Sequence, residues 1–351
     1  MKLNIKNHNL TDIINLKFGV YKPLTEFVSK EDFLNIVSNF KTKENKFFPF
    51  PIFFDISANL QKKIKIKKKL ELFYKSTKVC ELDIKSFYKI DKIKIGSKIF
   101  KTKDANHPGF KHFLNTGEYF LNASIKKFDN KILKKIVFIK PSNIKTKILN
   151  KKLKTLAGFH TRNVPHKGHE WIHNFGMKKC DGLLIQPMIG QFRKHEYKDE
   201  YIIKTNLKLV KKIYKKPNIF FGLYNSYPKY GGPREAILHA IVRKNFGCTH
   251  FLIGRDHAGV KNYYKKYESQ KICKKYEKQI GIKILTFNEP YLCGSCKKIV
   301  NKKYHGCKKT LKIPISGTFI RLQLLKNLNI SHDVMRPEIS TILNKNSIIT
   351  K

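Results

Sequence analysis

The chain has 351 residues and a mass of 41.2 kDa, more than one compact domain usually holds, which predicts two or three domains. Hydrophobic residues make up 41% of it and aromatic residues 12%, so a folded core is expected and a disordered chain is excluded. No apolar run approaches the ~18–20 residues of a transmembrane helix, and the N-terminus lacks the apolar stretch of a secretory signal. Seven cysteines, an odd number, argue against a disulfide framework and for a cytoplasmic location.

The chain is strongly basic, with 73 Lys and Arg residues against 25 Asp and Glu residues and a formal net charge of +48. This charge has two interpretations: a solvated, lysine-coated surface, or a binding site for a polyanion such as nucleic acid. A binding site should concentrate positive charge on one element, whereas the lysines are spread along the whole chain. We therefore favour the solvated surface, and expect neither a nucleic acid nor a membrane as a partner.

The arginines, unlike the lysines, are few and unevenly placed. They are Arg162, Arg193, Arg234, Arg243, Arg255, Arg321 and Arg336. If lysine replaces arginine wherever a point charge suffices, the remaining arginines mark positions that need a planar, bidentate donor. The chemistry of the protein is therefore expected after residue 161.

Residues 1–150 predict a mostly β domain with a few short helices. The clearest β-rich segments are residues 48–55, 79–84 and 136–139. Between them, Asp-Ala-Asn-His-Pro-Gly at residues 104–109 is typical of a turn. The polar, lysine-rich residues 142–154 are interpreted as a connector to the next domain.

From residue 153 onwards, apolar strands alternate with helices. Strands are predicted at residues 155–159, 183–189 and 250–253, and helices from about residue 166 to residue 180 and at residues 233–245. This alternation is typical of a parallel α/β sheet. Residues after about 310 predict a short, mostly helical tail.

The first candidate site is HTRNVPHKGH at residues 160–169, between the first of these strands and its helix. Such a turn binds phosphate groups because the free N–H groups and the dipole at the start of the helix attract anions. His166 and His169 are three residues apart on one face, and either imidazole can donate a hydrogen bond to a phosphoryl oxygen. Gly168 lets a nucleotide approach closely. A capped helix with incidental histidines is the alternative.

The second candidate is GRDHAG at residues 254–259, directly after a buried strand. In open α/β sheets the carboxyl ends of the strands form the ligand crevice. Arg255 can bind phosphate there or stack on a base, and Asp256 can hold a partner in place. A glycine-bounded turn with an Arg–Asp pair is the alternative.

Two more motifs begin helices. GGPRE at residues 231–235 places a proline in a first helical turn, and a structural role, or a surface pair with the neighbouring arginine, is predicted for Glu235. In ISGTFIR at residues 315–321, Ser316 or Thr318 can cap a helix.

Cysteine and histidine spacing predicts a zinc site near the end of the chain. CGSC at residues 293–296 is followed by HGC at residues 305–307, which is zinc-ligand spacing. The candidate ligands are Cys293, Cys296, His305 and Cys307. A loop without zinc is the alternative, and the identity of the fourth ligand stays open.

Together these motifs resemble the ATP sulfurylase, or sulfate adenylyltransferase, family over almost the whole chain. Residues 21–27, 47–55, 104–109 and 117–120 are similar to the PUA-like N-terminal domain of that family. The stretches similar to its catalytic part are, in order, residues 158–169, 232–245, 251–259, 287–296, 315–322 and 335–338. Several rare motifs in one order are much stronger evidence than any one of them.

The resemblance implies an α/β multidomain fold. The N-terminal domain, residues 1–150, would be PUA-like and mostly β. A Rossmann-like nucleotidyltransferase α/β domain would follow at 151–310, with a zinc-binding loop at 293–307. A C-terminal helical segment would span residues 311–351. It also implies an enzyme that makes adenosine 5′-phosphosulfate and pyrophosphate from ATP and sulfate. Mg²⁺ would accompany ATP, Zn²⁺ would be structural, and the chain would form a homo-oligomer.

The functional residues of the family carry over to the matching positions. Catalytic roles are implied for Thr161, Arg162, Asn163, His166 and His169. ATP binding is implied for His160, Thr161, Arg162, Asn163, Gly254, Arg255, Asp256 and His257. Sulfate binding is implied for His160, Arg162 and Ala258.

Three features depart from the family pattern. The family usually has glutamine where His160 stands, and that side chain touches sulfate. The proline lies one place away, at Pro165, although the spacing to both histidines is kept. In zinc-bearing relatives the last cysteine precedes its histidine, whereas here His305 precedes Cys307.

The implied reaction needs few chemical groups. Sulfate is already a dianion at neutral pH, so it attacks the α-phosphorus of ATP without a general base, and pyrophosphate leaves in line. The protein must bring two anions together and neutralise their charge. Two alternative functions stay open: adenylylation of another oxyanion, prompted by His160, and RNA binding by a PUA-like protein without turnover, prompted by the net charge of +48.

Overall fold

The computed structural model describes residues 1–64, 69–190, 196–301, 305–307 and 311–343. Outside the described residues lie Arg193, part of the predicted zinc loop at 302–304, the predicted boundary at residue 310, and residues 344–351 of the predicted C-terminal segment. Among the described residues, no helix combines the length and the apolar character that crossing a membrane requires.

The described residues form strands and helices in the following order. The strands are β1 (Lys2–Asn4), β2 (Phe54–Ile56), β3 (Lys69–Tyr74), β4 (Thr77–Tyr88), β5 (Tyr119–Lys126), β6 (Leu156–Thr161), β7 (Gly182–Ile189), β8 (Ile219–Phe221), β9 (Tyr224–Asn225), β10 (His250–Ile253), β11 (Lys283–Thr286), β12 (Tyr291–Cys293), β13 (Ile299–Val300) and β14 (Lys312–Pro314). The α-helices are α1 (Asn7–Lys17), α2 (Lys30–Asn39), α3 (Ala58–Lys63), α4 (Lys92–Phe100), α5 (Pro108–Leu114), α6 (Pro141–Asn150), α7 (Lys167–Met177), α8 (Asp199–Lys208), α9 (Pro233–Asn245), α10 (Glu268–Lys275), α11 (Glu277–Ile280), α12 (Gly317–Leu325) and α13 (Pro337–Leu343). A 3₁₀ helix spans Asn130–Lys135 and a π-helix spans Leu209–Tyr214.

The chain forms two compact units, and each contains segments that are distant in sequence. Unit 1 consists of Met1–Asn143, Pro228–Phe246 and Asp256–Ile282. Unit 2 consists of Ile144–Tyr227, Gly247–Arg255 and Lys283–Lys351. The domain boundaries predicted at residues 150 and 310 stay predictions.

Unit 1 is built on a sheet with the strand order β1-β3-β4-β5-β2, in which β1 and β3 are parallel and the other pairs are antiparallel. An aromatic cluster packs against it, with Phe33 contacting Phe113 and Phe120 at ring-centroid distances of 6.4 and 5.8 Å. Helices α9 and α10 belong to the same unit. The predicted N-terminal domain built on a β-sheet is thus confirmed, although its helices α1–α5 contain more residues than its strands.

The individual strand predictions in this half have mixed outcomes. Residues 79–84 lie within β4, as predicted, whereas 48–55 are extended as a strand only from Phe54 onwards. Pro49 and Pro51 explain this, because proline has no N–H to donate to a sheet ladder. The strand predicted at 136–139 is wrong: these residues follow the 3₁₀ helix, and Phe138 packs on the ring of Phe18 at 5.3 Å.

The segment predicted as a connector, residues 142–154, is mostly helical, because α6 spans Pro141–Asn150. Pro141 suits the first helical position. Ile144 is buried, and Ile148 lies four residues further on, so both share one helix face. The lysines of this segment occupy the remaining faces of an amphipathic helix.

Unit 2 is built on a parallel sheet with the order β11-β10-β6-β7-β8, and β9 adds a short parallel pairing to β7. The prediction of a parallel α/β sheet is confirmed. Every residue of β7 is buried, as expected for a strand covered on both faces. Helix α7 ends at Met177, somewhat before the predicted residue 180, while α9 and β10 have the predicted bounds.

A second, small sheet in unit 2 has the antiparallel order β13-β12-β14. It contains the first predicted zinc ligand, Cys293, which is the last residue of β12 and pairs with Lys312 of β14. Strand β14 leads directly into α12, and α13 follows, so the helical tail predicted after residue 310 is confirmed within the described residues.

Candidate active site

The carboxyl edge of the parallel sheet in unit 2 brings two predicted motifs together. Strands β6 and β10 are neighbours and run in the same direction, so both end at this edge. Residues 162–166 follow β6, and Gly254 and Arg255 follow β10. In parallel sheets this edge is where ligands bind.

His166 and His169 lie at the start of α7 and stack on each other, with ring centroids 3.7 Å apart and planes inclined by 22°. His166 is the N-cap residue, and its Nδ1 accepts a hydrogen bond from the backbone N–H of His169 at 3.3 Å. An accepting Nδ1 carries no proton, so the proton of a neutral His166 ring is on Nε2. His166 therefore presents Nε2–H as its donor.

Both imidazoles are neutral at physiological pH. Burial lowers the pKa of His166 to about 3. Burial also lowers the pKa of His169 well below its usual value, and the neighbouring His166 and His173 lower it further. The Nδ1 atom of His169 is buried and makes no hydrogen bond within the described part of the chain. The pair can therefore donate hydrogen bonds to an anion but brings it no positive charge.

A third histidine of α7, His173, was missed by sequence reasoning. Its ring lies 4.4 Å from the ring of Phe159, and its Nδ1 is 2.8 Å from the hydroxyl of Tyr214. Burial lowers the pKa of His173 to about 3. Its spacing of four residues from His169 was a signal, because residues four apart share a helix face.

Gly168 is needed by the histidine pair itself. A Cβ atom at this position would lie 3.0 Å from Cε1 and Nδ1 of the His166 ring. This is closer than side chains normally pack, so any larger residue would push the ring away from its position at the helix start. The close approach of a nucleotide to Gly168 stays a prediction.

Asn163 is held from both sides by the C-terminal part of unit 2. Arg321 on α12 donates from Nη1 to Asn163 Oδ1 at 2.6 Å. A Cβ atom on Gly317 would lie 2.7 Å from the Asn163 amide, so only glycine fits there. Ser316 caps α12 by accepting from the N–H of Phe319, which settles the predicted choice of cap in favour of Ser316.

This clamp yields a prediction. A Gly317→Ala variant should displace the Asn163 amide and lower turnover roughly 10–100-fold, because a hydrogen bond from a charged donor is worth ~1.5–3 kcal/mol. Leu322→Ala is the control on the same helix, since the Leu322 side chain is 52% exposed. Steady-state rates per folded molecule measure the effect. Equal rates for the two variants would show that the clamp on Asn163 does not affect turnover.

Two carboxylates in unit 2, both unpredicted, pair with arginines of the site. Glu196 Oε1 lies 3.6 Å from Arg162 Nη1, so this contact must open or be shared if Arg162 binds an anion. Glu170 on α7 accepts from Arg336 Nε at 2.8 Å with both carboxylate oxygens. The N–H of Lys167 also donates to the carbonyl of Val334, so the segment before α13 fixes the first turn of α7.

The other sequence-predicted residues of unit 2 are less enclosed. Arg255 Nη1 lies 2.5 Å from Glu289 Oε2 and is about one-third exposed. His160 is half-buried on β6, level with Gln186 of β7, and its ring is 6.5 Å from that of Tyr224. Thr161 Oγ1 accepts from the N–H of Asn163 at 3.0 Å and so shapes the turn after β6.

Asp256, His257 and Ala258 belong to unit 1, so GRDHAG straddles the border between the two units in the chain. Ala258 has a φ of 57°, so its backbone is in the left-handed conformation, which is uncommon for a residue other than glycine. His257 Nε2 is 3.0 Å from Nδ1 of His239. Burial, followed by His239 and Arg243, lowers the pKa of His257 well below its usual value.

The start of α9 in unit 1 has the structural role predicted for it. Glu235 is buried and accepts from the backbone N–H groups of Lys229 and Gly231 at 2.9 and 3.1 Å. The surface pair with Arg234 is wrong, because Arg234 donates instead to the carbonyls of Ile36, Val37 and Pro49. Both side chains thus secure the loop before α9 and the helix itself.

The four predicted metal ligands come together in unit 2. One ligand atom from each of Cys293, Cys296, His305 and Cys307 lies within 4.8 Å of all the others, so the cluster could hold a metal ion. Nε2 of His305 is 3.1 Å from Sγ of Cys293, although His305 precedes Cys307 in sequence. Ligands bound to zinc at ~2.0–2.3 Å lie within about 4.6 Å of one another, which this spacing matches.

A parallel sheet whose carboxyl edge carries histidines, arginines and a helix start is typical of α/β proteins that handle nucleotides. Comparison with protein families matches residues 135–346 to the ATP-sulfurylase family and residues 1–130 to the PUA-like domain family. The chain belongs to the ATP-sulfurylase family. The resemblance drawn from the sequence motifs is confirmed, as is the PUA-like N-terminal domain.

Individual proteins agree with this assignment. The sulfate adenylyltransferase of Ignicoccus hospitalis is 34% identical over 334 residues, which cover 95% of this chain and 87% of that protein. The sulfate adenylyltransferase of Pyrococcus abyssi is 33% identical over 344 residues, 97% of this chain and 89% of that protein.

A solved structure, the hexameric APS kinase from Thiobacillus denitrificans, aligns with a TM-score of 0.75 at 15% identity. The alignment covers 99% of this chain, which spans 63% of the length of that chain. At this identity the likeness shows the fold alone, and the fold is the α/β arrangement expected from the sequence.

Proposed function

We propose that the protein is a sulfate adenylyltransferase, which joins sulfate to the α-phosphate of ATP and releases pyrophosphate. This enzyme activity was predicted from the sequence, and full-length relatives named sulfate adenylyltransferase confirm it. The same groups catalyse the reaction in either direction, since the forward and reverse reactions pass through the same transition state.

One observation supports the mechanism most directly: two neutral, stacked imidazoles stand at the start of α7, and His166 presents Nε2–H. A neutral imidazole still carries one N–H, which can donate a hydrogen bond to the negative charge that develops on phosphoryl oxygens. The positive end of the helix dipole acts in the same direction. Sulfate needs no base, and none of these groups has to act as one.

We assign roles to the site residues as follows. His166 and His169 stabilise the transition state, and Thr161, Arg162 and Asn163 line the reacting centre. ATP binding is assigned to His160, Thr161, Arg162, Asn163, Gly254, Arg255, Asp256 and His257, and sulfate binding to His160, Arg162 and Ala258. The support from the structure is local: Asn163 is clamped, Arg162 has a carboxylate partner to exchange for sulfate, and the His166 donor is oriented.

The phosphates of ATP would bring Mg²⁺, which neutralises charge on the leaving pyrophosphate. Zinc suits the cluster of Cys293, Cys296, His305 and Cys307, because three thiolates and one imidazole are a closed structural set. Burial and the nearby sulfurs of Cys293 and Cys296 raise the pKa of the Cys307 thiol. A bound cation would offset the repulsion among these thiolates.

We further propose a homo-oligomer, a cytoplasmic location and the domain boundaries 1–150, 151–310 and 311–351. The need for ATP and a cysteine pattern that suits metal binding rather than disulfides favour that location. The separate family matches at residues 1–130 and 135–346 support a division into an N-terminal and a catalytic part.

The test is sulfate-dependent exchange of labelled pyrophosphate into ATP by the purified protein with Mg²⁺. We expect exchange that requires both sulfate and Mg²⁺, with heat-denatured protein and a sulfate-free mixture as controls. Activity with molybdate or another oxyanion but not with sulfate would change the assigned substrate. No turnover with any oxyanion, together with tight and salt-sensitive RNA binding, would overturn the proposal.

A further inference from the structure

Three side chains of unit 1 form a connected chain that leads to His257. Glu235 and His239 are four residues apart on α9 and therefore share a face, and Glu235 Oε1 lies 3.5 Å from His239 Nε2. His239 Nδ1 in turn lies 3.0 Å from His257 Nε2. Glu235 and His239 are both buried, with 3% of their surface exposed.

Both ends of this chain are fixed to the backbone. At one end, Glu235 accepts from the N–H groups of Lys229 and Gly231, which hold the carboxylate in place and compensate for its burial. At the other end, the hydroxyl of Ser269 on α10 donates to the carbonyl of His257 at 2.7 Å. The path from Glu235 to His257 thus has little freedom to rearrange.

The chemistry of the groups determines where the protons lie. Burial works to raise the pKa of Glu235, but the hydrogen bonds and charge of His239 and the two backbone donors outweigh it, and the pKa is lowered. An ionised carboxylate only accepts, so it favours the proton of His239 on Nε2. Nδ1 of a neutral His239 is then an acceptor, and His257 must supply the proton from its own Nε2.

We infer that Glu235 and His239 are positioning residues, which hold the ring of His257 in one orientation with its proton on Nε2. This inference rests on the proposed function, which places His257 among the ATP-binding residues. With the proton on Nε2, Nδ1 of His257 carries a lone pair, and any group that meets it must be a hydrogen-bond donor or a cation.

The first test reads the proton position directly. Protein labelled with ¹⁵N in its 13 histidines gives imidazole signals whose nitrogen shifts distinguish the two neutral tautomers, and loss of one set in His257→Gln assigns His257. We expect the Nε2–H form in the parent protein and a mixture of forms in His239→Leu. A parent His257 with its proton on Nδ1 would overturn the inference, whether or not the protein has the proposed activity.

The second test separates positioning from packing. His239→Leu fills similar space without polar atoms, whereas His239→Gln keeps an oxygen that can accept from His257 Nε2–H. We expect about tenfold weaker ATP binding in the leucine variant, the loss of roughly one hydrogen bond, and near-parental binding in the glutamine variant. Leu238→Ala, a buried residue of the same helix, is the packing control, and it should lower the melting temperature without changing ATP affinity.

Equal ATP affinity in the parent and His239→Leu would show that the histidine only fills space. A parent protein that binds ATP but shows no exchange with any oxyanion would contradict the proposed function instead. The two failures are therefore distinguishable, because one is measured in ATP binding and nitrogen shifts and the other in turnover.

Discussion

His166→Ala and His169→Ala variants are expected to lose about 10²–10³-fold in kcat while their affinity for ATP changes little. Both side chains act on charge that appears only as the bond to the leaving pyrophosphate breaks, so their removal affects the transition state more than the bound substrate. The stacked rings and the donor oriented by the His169 N–H are the structural basis. Steady-state kinetics of pyrophosphate exchange measure both quantities.

The N-cap role of His166 requires its own control, because losing a cap costs about 1 kcal/mol of stability. His166→Asn keeps a side chain that caps helices well but places no ring over Gly168. We expect a melting temperature near that of the parent and a kcat still strongly reduced. Folded alanine variants with kcat within a few-fold of the parent would contradict the catalytic assignment of both histidines.

His160→Gln should behave differently from these variants. It restores the residue that the family usually has at this position, on β6 before the turn. The expected change is therefore in the KM for sulfate or in the preference among oxyanions, with ATP affinity unaltered. A large drop in kcat would instead place His160 with the two histidines of α7.

The histidine pair also has a consequence for stability at low pH. Because burial lowers the pKa of His166 to about 3, the folded protein does not protonate this ring at pH 5, whereas the unfolded chain, with a pKa near 6.5, does. The unfolded state then binds more protons, so stability is fully present above about pH 6.5 and falls as the pH decreases towards 3. This part of the acid sensitivity should be reduced in His166→Asn.

The sequence predicted the parts of the site that depend on local signals. The turn after β6, the bounds of α9 and the strand β10 follow from proline, glycine and apolar patterning within a few residues. The four candidate metal ligands were likewise recognisable from the short separations within CxxC and HxC. Each of these features is set by neighbours in sequence, so a pattern is sufficient to find it.

The supporting contacts could not be predicted, because they join distant residues. Arg321 and Asn163 are 158 residues apart, and Arg336 and Glu170 are 166 apart. Nothing in the sequence around Glu170 or Glu196 distinguishes it from a solvated surface carboxylate. The link from Glu235 to His239 was readable from its spacing of four residues, but its continuation to His257 depends on how α9 packs within unit 1.

The errors in the first half have the same origin. The β-rich residues 136–139 have strand propensity, but tertiary packing of Phe138 on Phe18 replaces a strand partner. The lysines of α6 hid an amphipathic helix, since only a few apolar residues such as Ile144 mark its buried face. Strand and helix propensities are weak predictors in this chain, because evenly spread lysines obscure the alternation of apolar and polar residues.

Zinc at the proposed site should be necessary for the stability of unit 2 and for the activity of the protein. The cluster of Cys293, Cys296, His305 and Cys307 ties together β12 and the loop that leads to β14. Strand β14 continues into α12, whose Arg321 and Gly317 hold Asn163 in the candidate active site. A metal bound at the cluster would thus fix the position of α12.

We expect about one zinc ion per chain, and a Cys293→Ser, Cys296→Ser double variant that binds none. Its melting temperature should be lower by roughly 5–10 °C, which corresponds to ~2–3 kcal/mol. Its kcat should also fall, because α12 loses its anchor while α7 and its histidines remain. Removing zinc from the parent with a chelator should reproduce both effects, and the same chelator should change nothing in the double variant. Two results would contradict the structural role. One is protein that contains no zinc by elemental analysis when purified free of chelator, and the other is an unchanged melting temperature in the double variant. A closed site of four protein ligands leaves no position for a substrate, so its role must be structural.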